Sequence, residues 1–299
     1  MLKHKSSSFI LISILASLVI LLAACKSLPA GRTVDPIELL DNQSGFYIAI
    51  PKSADTVLIE RMISNNVQNI SESDVKLLSD RINKIYCGLN RSRKNLEIQA
   101  SIDSSIPTGH ISKVLNKKNG WEKSTFTPES GTNQYPVYSY DGMDLAFPTK
   151  SITCIGRNMD YMLNRYDTLS AMPAEPADAP QLYSDLPQEL VEYLKGAEDE
   201  IRFYANKPQS FLTILTGANL DLRLIDVKGS FVTDPKHESQ YLLNLDFNFK
   251  SDKYMRAGKA LLTLAFGLTN SQSLELSTNE LQINGIKIDK QQLYKILVL

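Results

Sequence analysis

The sequence predicts an α+β protein made of two tandem ferredoxin-like units, β-α-β-β-α-β with a further strand and helix, on antiparallel sheets. Three observations predict it. Leu96–Asp103 and Leu243–Phe249 alternate strictly between apolar and polar residues, the pattern of a strand with one face on a core. Such one-sided strands belong to antiparallel sheets. Each leads into a helical stretch and then into an Asx-Gly dipeptide between strand-like runs. Between the two sets lies Ser170–Pro187, whose Pro173, Pro176, Pro180 and Pro187 exclude helix and central strand.

Taken along the chain, each half opens on a short strand ending at proline, Phe46–Ser53 and Phe203–Ser210, in which Phe, Tyr, Pro and Ser coincide without a gap. A helical segment follows. Ser71–Arg81 is the clearer one, with Ser71–Asp74 as its capping arrangement before Val75, Leu77, Leu78 and Ile82. Gln209–Leu215 is only a turn or two. The second strands are Ile85–Leu89 and Leu220–Val232, and the alternating strands come third.

The next helices are Thr108–Lys118, with Ile111, Val114 and Leu115 on one face, and Asp252–Phe266, stopped by Gly267. Met255, Gly258, Leu262 and Phe266 keep helical spacing in the latter. Asp141-Gly142 and Asn284-Gly285 each predict a hairpin with a type I′ turn, which needs positive φ at both central residues. Asn158–Tyr166 and Asp289–Leu299 close the halves as helices capped by Asn158 and Asp289. Leu186–Lys195, capped by Asp185, leads into the second half.

Five matching elements in one order indicate an internal duplication; two unlike α+β domains with similar patterning are the alternative. The predicted division is a cleaved signal over 1–24, a lipidated N-terminus and tether over 25–44, a first unit over 45–169, a linker over 170–187 and a second unit over 188–299.

The chain has 299 residues, 43% of them hydrophobic, and a formal net charge of −1. At ~100–200 residues per domain, two domains are expected. Lys3 and Lys5 leave with the first 24 residues, taking the net to −3. Nothing in that balance suits a nucleic-acid partner, which needs a basic surface.

The N-terminus carries the one strong functional signal. Lys3, His4 and Lys5 precede an apolar run from Phe9 to Leu22, shorter than the ~20 residues of a spanning helix. Basic start, short apolar core and small residues before a cut describe a secretory signal. Leu22-Ala23-Ala24-Cys25 resembles a bacterial lipobox. The resemblance implies cleavage between Ala24 and Cys25, and acylation of Cys25 with diacylglycerol and palmitate-type chains. The protein would then be a bacterial lipoprotein, membrane-anchored in the cell envelope, facing the periplasm or the surface. The body, which carries no diagnostic motif, is similar in general look to uncharacterised spirochaete lipoproteins.

No catalytic constellation, cofactor loop or metal motif emerges. His110 stands at a helix start and His237 in the loop Asp234–Glu238, neither with a second histidine at ligand spacing. Ser73-Asp74-Val75-Lys76 matches SxxK without its partner motifs and reads as a cap. Cys87 and Cys154 are an even pair outside the cytoplasm, so a disulfide between them is one expectation and two buried thiols the other. Glu198–Glu200 reads as a solvated run and Arg91–Lys94 as a basic turn. Tyr138 and Tyr140 share a strand face, either exposed as a sticky surface or packed on a helix.

Three functions stand. The first is a non-catalytic binding or scaffold lipoprotein, meeting an unknown protein on a sheet face or between the halves. The second is a carrier of an apolar or lipid ligand, with a groove suggested by the helix Met255–Phe266. The third is an envelope hydrolase with dispersed catalytic residues, which would need a cleft of converging carboxylates.

Overall fold

The computed structural model describes residues 31–67, 70–91, 96–107, 111–112, 114–156, 158–174, 182–268 and 272–297. The lipobox with Cys25, His110, Ser92–Lys94, Pro176 and Pro180 lie outside the described residues. Along the chain run β1 (Phe46–Pro51), α1 (Thr56–Asn66), α2 (Glu72–Asp80), β2 (Ile82–Arg91), β3 (Leu96–Ser104), β4 (Glu122–Phe126), β5 (Tyr135–Tyr140), β6 (Met143–Ala146), β7 (Ile152–Gly156) and α3 (Met159–Ser170). They are followed by α4 (Gln188–Lys195), β8 (Ile201–Ala205), α5 (Pro208–Thr216), β9 (Leu224–Thr233), β10 (Gln240–Phe249), α6 (Asp252–Phe266), β11 (Ser273–Glu275), β12 (Glu280–Asp289) and α7 (Lys290–Leu297).

All twelve strands join one antiparallel sheet in the order β11-β12-β10-β9-β8-β1-β2-β3-β7-β6-β5-β4. The antiparallel sheets expected of two units are therefore a single sheet. The two halves of the chain meet in it at the pair β1·β8, with Tyr47 opposite Tyr204 and Ile48 opposite Phe203. Outward from that seam the two sides run alike, β1-β2-β3-β7 and β8-β9-β10-β12. Neither side has the split β-α-β order of a ferredoxin-like unit. The helices after β1 and β8 return the chain to the adjacent strand, β2 and β9, in antiparallel pairing.

The two faces differ. On one, a continuous core runs beneath α1, α5, α6 and α7 and takes in Ile48, Ile85, Phe203, Phe231 and Phe247. On the other, α3 and α4 cover separate clusters around Cys154 and around Tyr47. β1 is buried at every position because it is covered on both sides. The predicted alternation of β3 is present, but Gln99 and Ser101 are buried rather than solvated. The 3-10 turn Pro36–Leu39 and α3 lie over them. The tether expected over 25–44 is likewise packed from Arg32 onward. Glu38 is fully buried, pairs with Arg32 at 2.6 Å, and takes the Tyr183 amide.

Local chemistry explains the elements. Asp55 caps α1 through the Leu58 amide, and Ser71 caps α2 through the Asp74 amide. α6 spans the predicted residues and ends on Gly267 in the left-handed region. The Asp141-Gly142 hairpin forms with both φ values positive, 48° and 73°. Asn284-Gly285 does not make a hairpin. β12 continues through it, with the register against β10 shifting between Leu243 and Leu245. Gly285 at φ 71° absorbs the extra residue as a bulge, and its amide donates to Asn244 Oδ1. Asp185 does not cap α4; Pro187 occupies that position, and Asp185 pairs with Arg165 and takes the Tyr161 hydroxyl.

Candidate functional site

The floor of the candidate site is the α1 side of β2, β3 and β7. Directly opposed residues share a face in an antiparallel pair, so Cys87, Ala100 and Ile155 form one row, and Ile85, Ile102 and Thr153 the next. Cys87, Ala100 and Thr153 are the small members of these rows, and the floor between the isoleucines carries no aromatic ring. The second half is built differently. There Phe203, Phe231, Tyr241, Phe247 and Phe249 fill the same face with rings that are almost wholly buried.

The roof is α1 and α2 with Ile111, Val114 and Leu115. Helices held over small side chains leave a void, and the structure has one, a cavity of about 690 Å³. Ile59, Met62 and Ile63 of α1, Leu77 and Leu78 of α2, Ile111, Leu115 and Leu297 of α7 complete its walls. Trp121 closes one end, its indole 5.4 Å from the Tyr140 ring. Asn66, Asp74 and Asp141 are the polar residues nearer solvent, and among the described residues no Lys, Arg or His lines it. The volume is within the ~300–1,000 Å³ usual for small-ligand sites.

α1 is tied to the second half at its start. The Asp55 carboxylate accepts from Tyr241 Oη at 2.6 Å, Lys290 Nζ at 2.7 Å and the Leu58 amide at 2.9 Å. Burial alone would raise the Asp55 pKa, but these hydrogen bonds hold it below the ordinary carboxylate value. Tyr241 is pushed well up by burial and by that carboxylate. One turn along, the Arg61 guanidinium lies 4.2 Å from the Tyr294 ring.

The residues singled out from sequence fall elsewhere or into structural roles. Cys87 faces the α1 side and Cys154 the α3 side, with β3 between them. Two inter-strand steps of ~4.8 Å and opposite directions exceed disulfide reach, so of the two expectations the structure has the two free buried thiols. Burial pushes the Cys87 thiol up to about 12 and the Cys154 thiol up as well. His237 pairs with Asp234 at 3.1 Å in the β9–β10 turn. Tyr138 is packed against Phe147 beside the cavity end. The helix expected to cover a groove, α6, is packed close at its middle: Gly258 sits directly on the Phe249 ring, where an added Cβ would come within 2.3 Å. The cavity is in the other half, and sequence reasoning missed it; the small residues at 87, 100 and 153 were the only signal. Among the described residues no group of three His, Cys, Asp or Glu is placed to hold a metal.

One antiparallel sheet covered by helices on both faces, with an apolar void beneath one pair of them, defines the class: an α+β protein that encloses greasy space. The chain belongs to the TP0453 family of outer membrane-associated lipoproteins, whose model matches residues 31–294. It is therefore a membrane-associated protein of the bacterial cell envelope. Crystal form I of the spirochaete protein TP0453 is similar in fold, with TM-score 0.65 at 18% identity, over 89% of this chain and 97% of that one. Crystal forms III and IV give 0.63 and 0.60 at 19% and 18%, over 89% of this chain and 98% and 97% of theirs. No curated protein sequence matches.

Proposed function

We propose that this protein is anchored through an acylated Cys25 and binds an apolar ligand, of the acyl-chain class, in the cavity beneath α1 and α2. The observation that carries the reading is the cavity itself, about 690 Å³, walled by isoleucine, leucine and methionine with Cys87, Ala100 and Thr153 in its floor. Each methylene moved there from water contributes ~0.8 kcal/mol, so a chain of ten or so carbons would bind without a dedicated polar contact. The Cys87 thiol on the floor is held protonated by burial, and the reading is a non-catalytic one. The matching strand order on the two sides of β1·β8 supports an internal duplication.

The test is binding of the fluorescent acyl probe methyl cis-parinarate, an uncharged ester. Ala100→Phe places a ring in the centre of the floor and should abolish probe binding while the fold persists. Equal binding by both proteins would refute the site. The anchor is tested separately: radioactive palmitate should label the wild type and not Cys25→Ser.

A second reading, a docking surface for another envelope protein, draws on an exposed apolar strip. Leu261 and Leu264 of α6 and Leu274 and Leu276 at the β11 edge are exposed, and Lys259–Glu275 ties the two elements together. Leu264→Glu should leave probe binding intact and abolish cross-linking to that partner in whole cells.

A further inference from the structure

The cavity wall carries one unmet polar group. Trp121 is 2% exposed and lines the void, and its indole Nε1–H has no hydrogen-bond partner. Two other buried polar atoms among the described residues share that condition, Gln99 Nε2 and Ser101 Oγ. Both stand on the opposite face of the sheet, where Gln99 already accepts the Asp41 amide. The hydroxyl of Thr153, the other polar side chain deep in the wall, pairs with Ser104 at 3.2 Å.

The indole is held in place without using its N–H. Asn116 caps the preceding turn and its carbonyl takes the Trp121 amide at 3.1 Å. Gly120 turns the chain at φ 83°, and Tyr140 packs on the ring. Indole nitrogen is a donor only, and a buried donor left unmade costs free energy. Phenylalanine would fill the same space without that cost.

We propose that the ligand presents a neutral carbonyl acceptor to Trp121 Nε1, so that the cavity selects esterified acyl chains over plain hydrocarbon and over free fatty acid. The choice of a neutral acceptor follows from charge. Among the described residues no cation lines the void, and Asp74 and Asp141 border it, so against these groups a carboxylate would be buried unpaired beside two acids. The proposal rests on the cavity reading above.

The experiment uses the full chain bearing Cys25→Ser, which lacks acyl chains of its own, with three probes of similar length: methyl laurate, n-tetradecane and laurate at pH 7.5. Trp121→Phe keeps the ring and removes the donor. The expected result is a loss of about three- to tenfold in methyl laurate affinity in Trp121→Phe, the size of one hydrogen bond, with n-tetradecane unchanged. Laurate should bind more weakly than its ester. Because Trp121 is the single tryptophan, its emission should shift to the red with methyl laurate and not with n-tetradecane. If the substitution alters both neutral probes alike, or neither, the acceptor proposal is wrong while the cavity reading stands. If no probe binds the wild-type cavity, both fall.

Discussion

Lys290→Met tests what ties the cavity roof to the second half. The substitution keeps the aliphatic stem and removes the ammonium 2.7 Å from Asp55. The Asp55 side chain is 2% exposed and that of Lys290 16%, so the two ends of the pair respond unequally. Losing the lysine strands a carboxylate that cannot reach water. Stripping a buried pair costs ~3–5 kcal/mol, but Asp55 keeps the Tyr241 hydroxyl and the Leu58 amide, so about 2–3 kcal/mol is expected. Asp55→Asn should cost only about 1 kcal/mol, since asparagine caps a helix as well as aspartate and the freed lysine moves toward solvent. The double variant should resemble Asp55→Asn. Urea unfolding followed by Trp121 fluorescence measures all three, and Lys290→Met should lower Tm by roughly 5–10 °C. The pH dependence has a definite sign. Asp55 has a folded pKa below its unfolded value of ~3.9, so its contribution is complete above that value and is lost as pH falls through the folded pKa. The gap between wild type and Lys290→Met should therefore narrow as pH drops from 7 to below 4. If Lys290→Met were no worse than Asp55→Asn at pH 7, the stranded-carboxylate argument would be refuted.

Gly285→Ala should cost about 1–2 kcal/mol in thermal unfolding, because φ 71° is penalised for any side chain while no neighbour lies within 4 Å to clash; a neutral result would mean the bulge is not there. Cys87 and Cys154 should both escape thiol reagents in the native protein and react after unfolding, and dithiothreitol should leave Tm unchanged. A Tm that falls on reduction would instead indicate the disulfide that the sheet geometry excludes.

The legible parts of the fold are those whose signal is local. The strand β3, the alternation of β10, the spacing of α6 with its terminal Gly267, and the Asp141-Gly142 hairpin all form as their residues predict, though the polar face of β3 is covered. The misread parts depend on partners distant in the chain. Asn284-Gly285 supplies the positive φ that a hairpin turn and a bulge both need, and only the pairing of β12 with β10 chooses the bulge. Asp185 is drawn off its cap position by Arg165 and Tyr161. Thr56–Asn66 has a narrow buried stripe, Leu58 and Ile59, because much of its inner face borders the void rather than a packed core. The void itself has no sequence pattern of its own. It arises where Cys87, Ala100 and Thr153, from three strands, come into adjacent rows under helices that larger side chains would otherwise meet. The unmet Trp121 N–H is legible only once its surroundings are in place.

The most direct test of the account is a native mass spectrum of the protein extracted from its own membrane, recorded for the wild type and for Ala100→Phe. The account predicts one non-covalently bound acyl lipid per wild-type chain and none in Ala100→Phe, with the covalent modification at Cys25 the same in both. An empty wild-type chain, or the same lipid retained by both proteins, would contradict it.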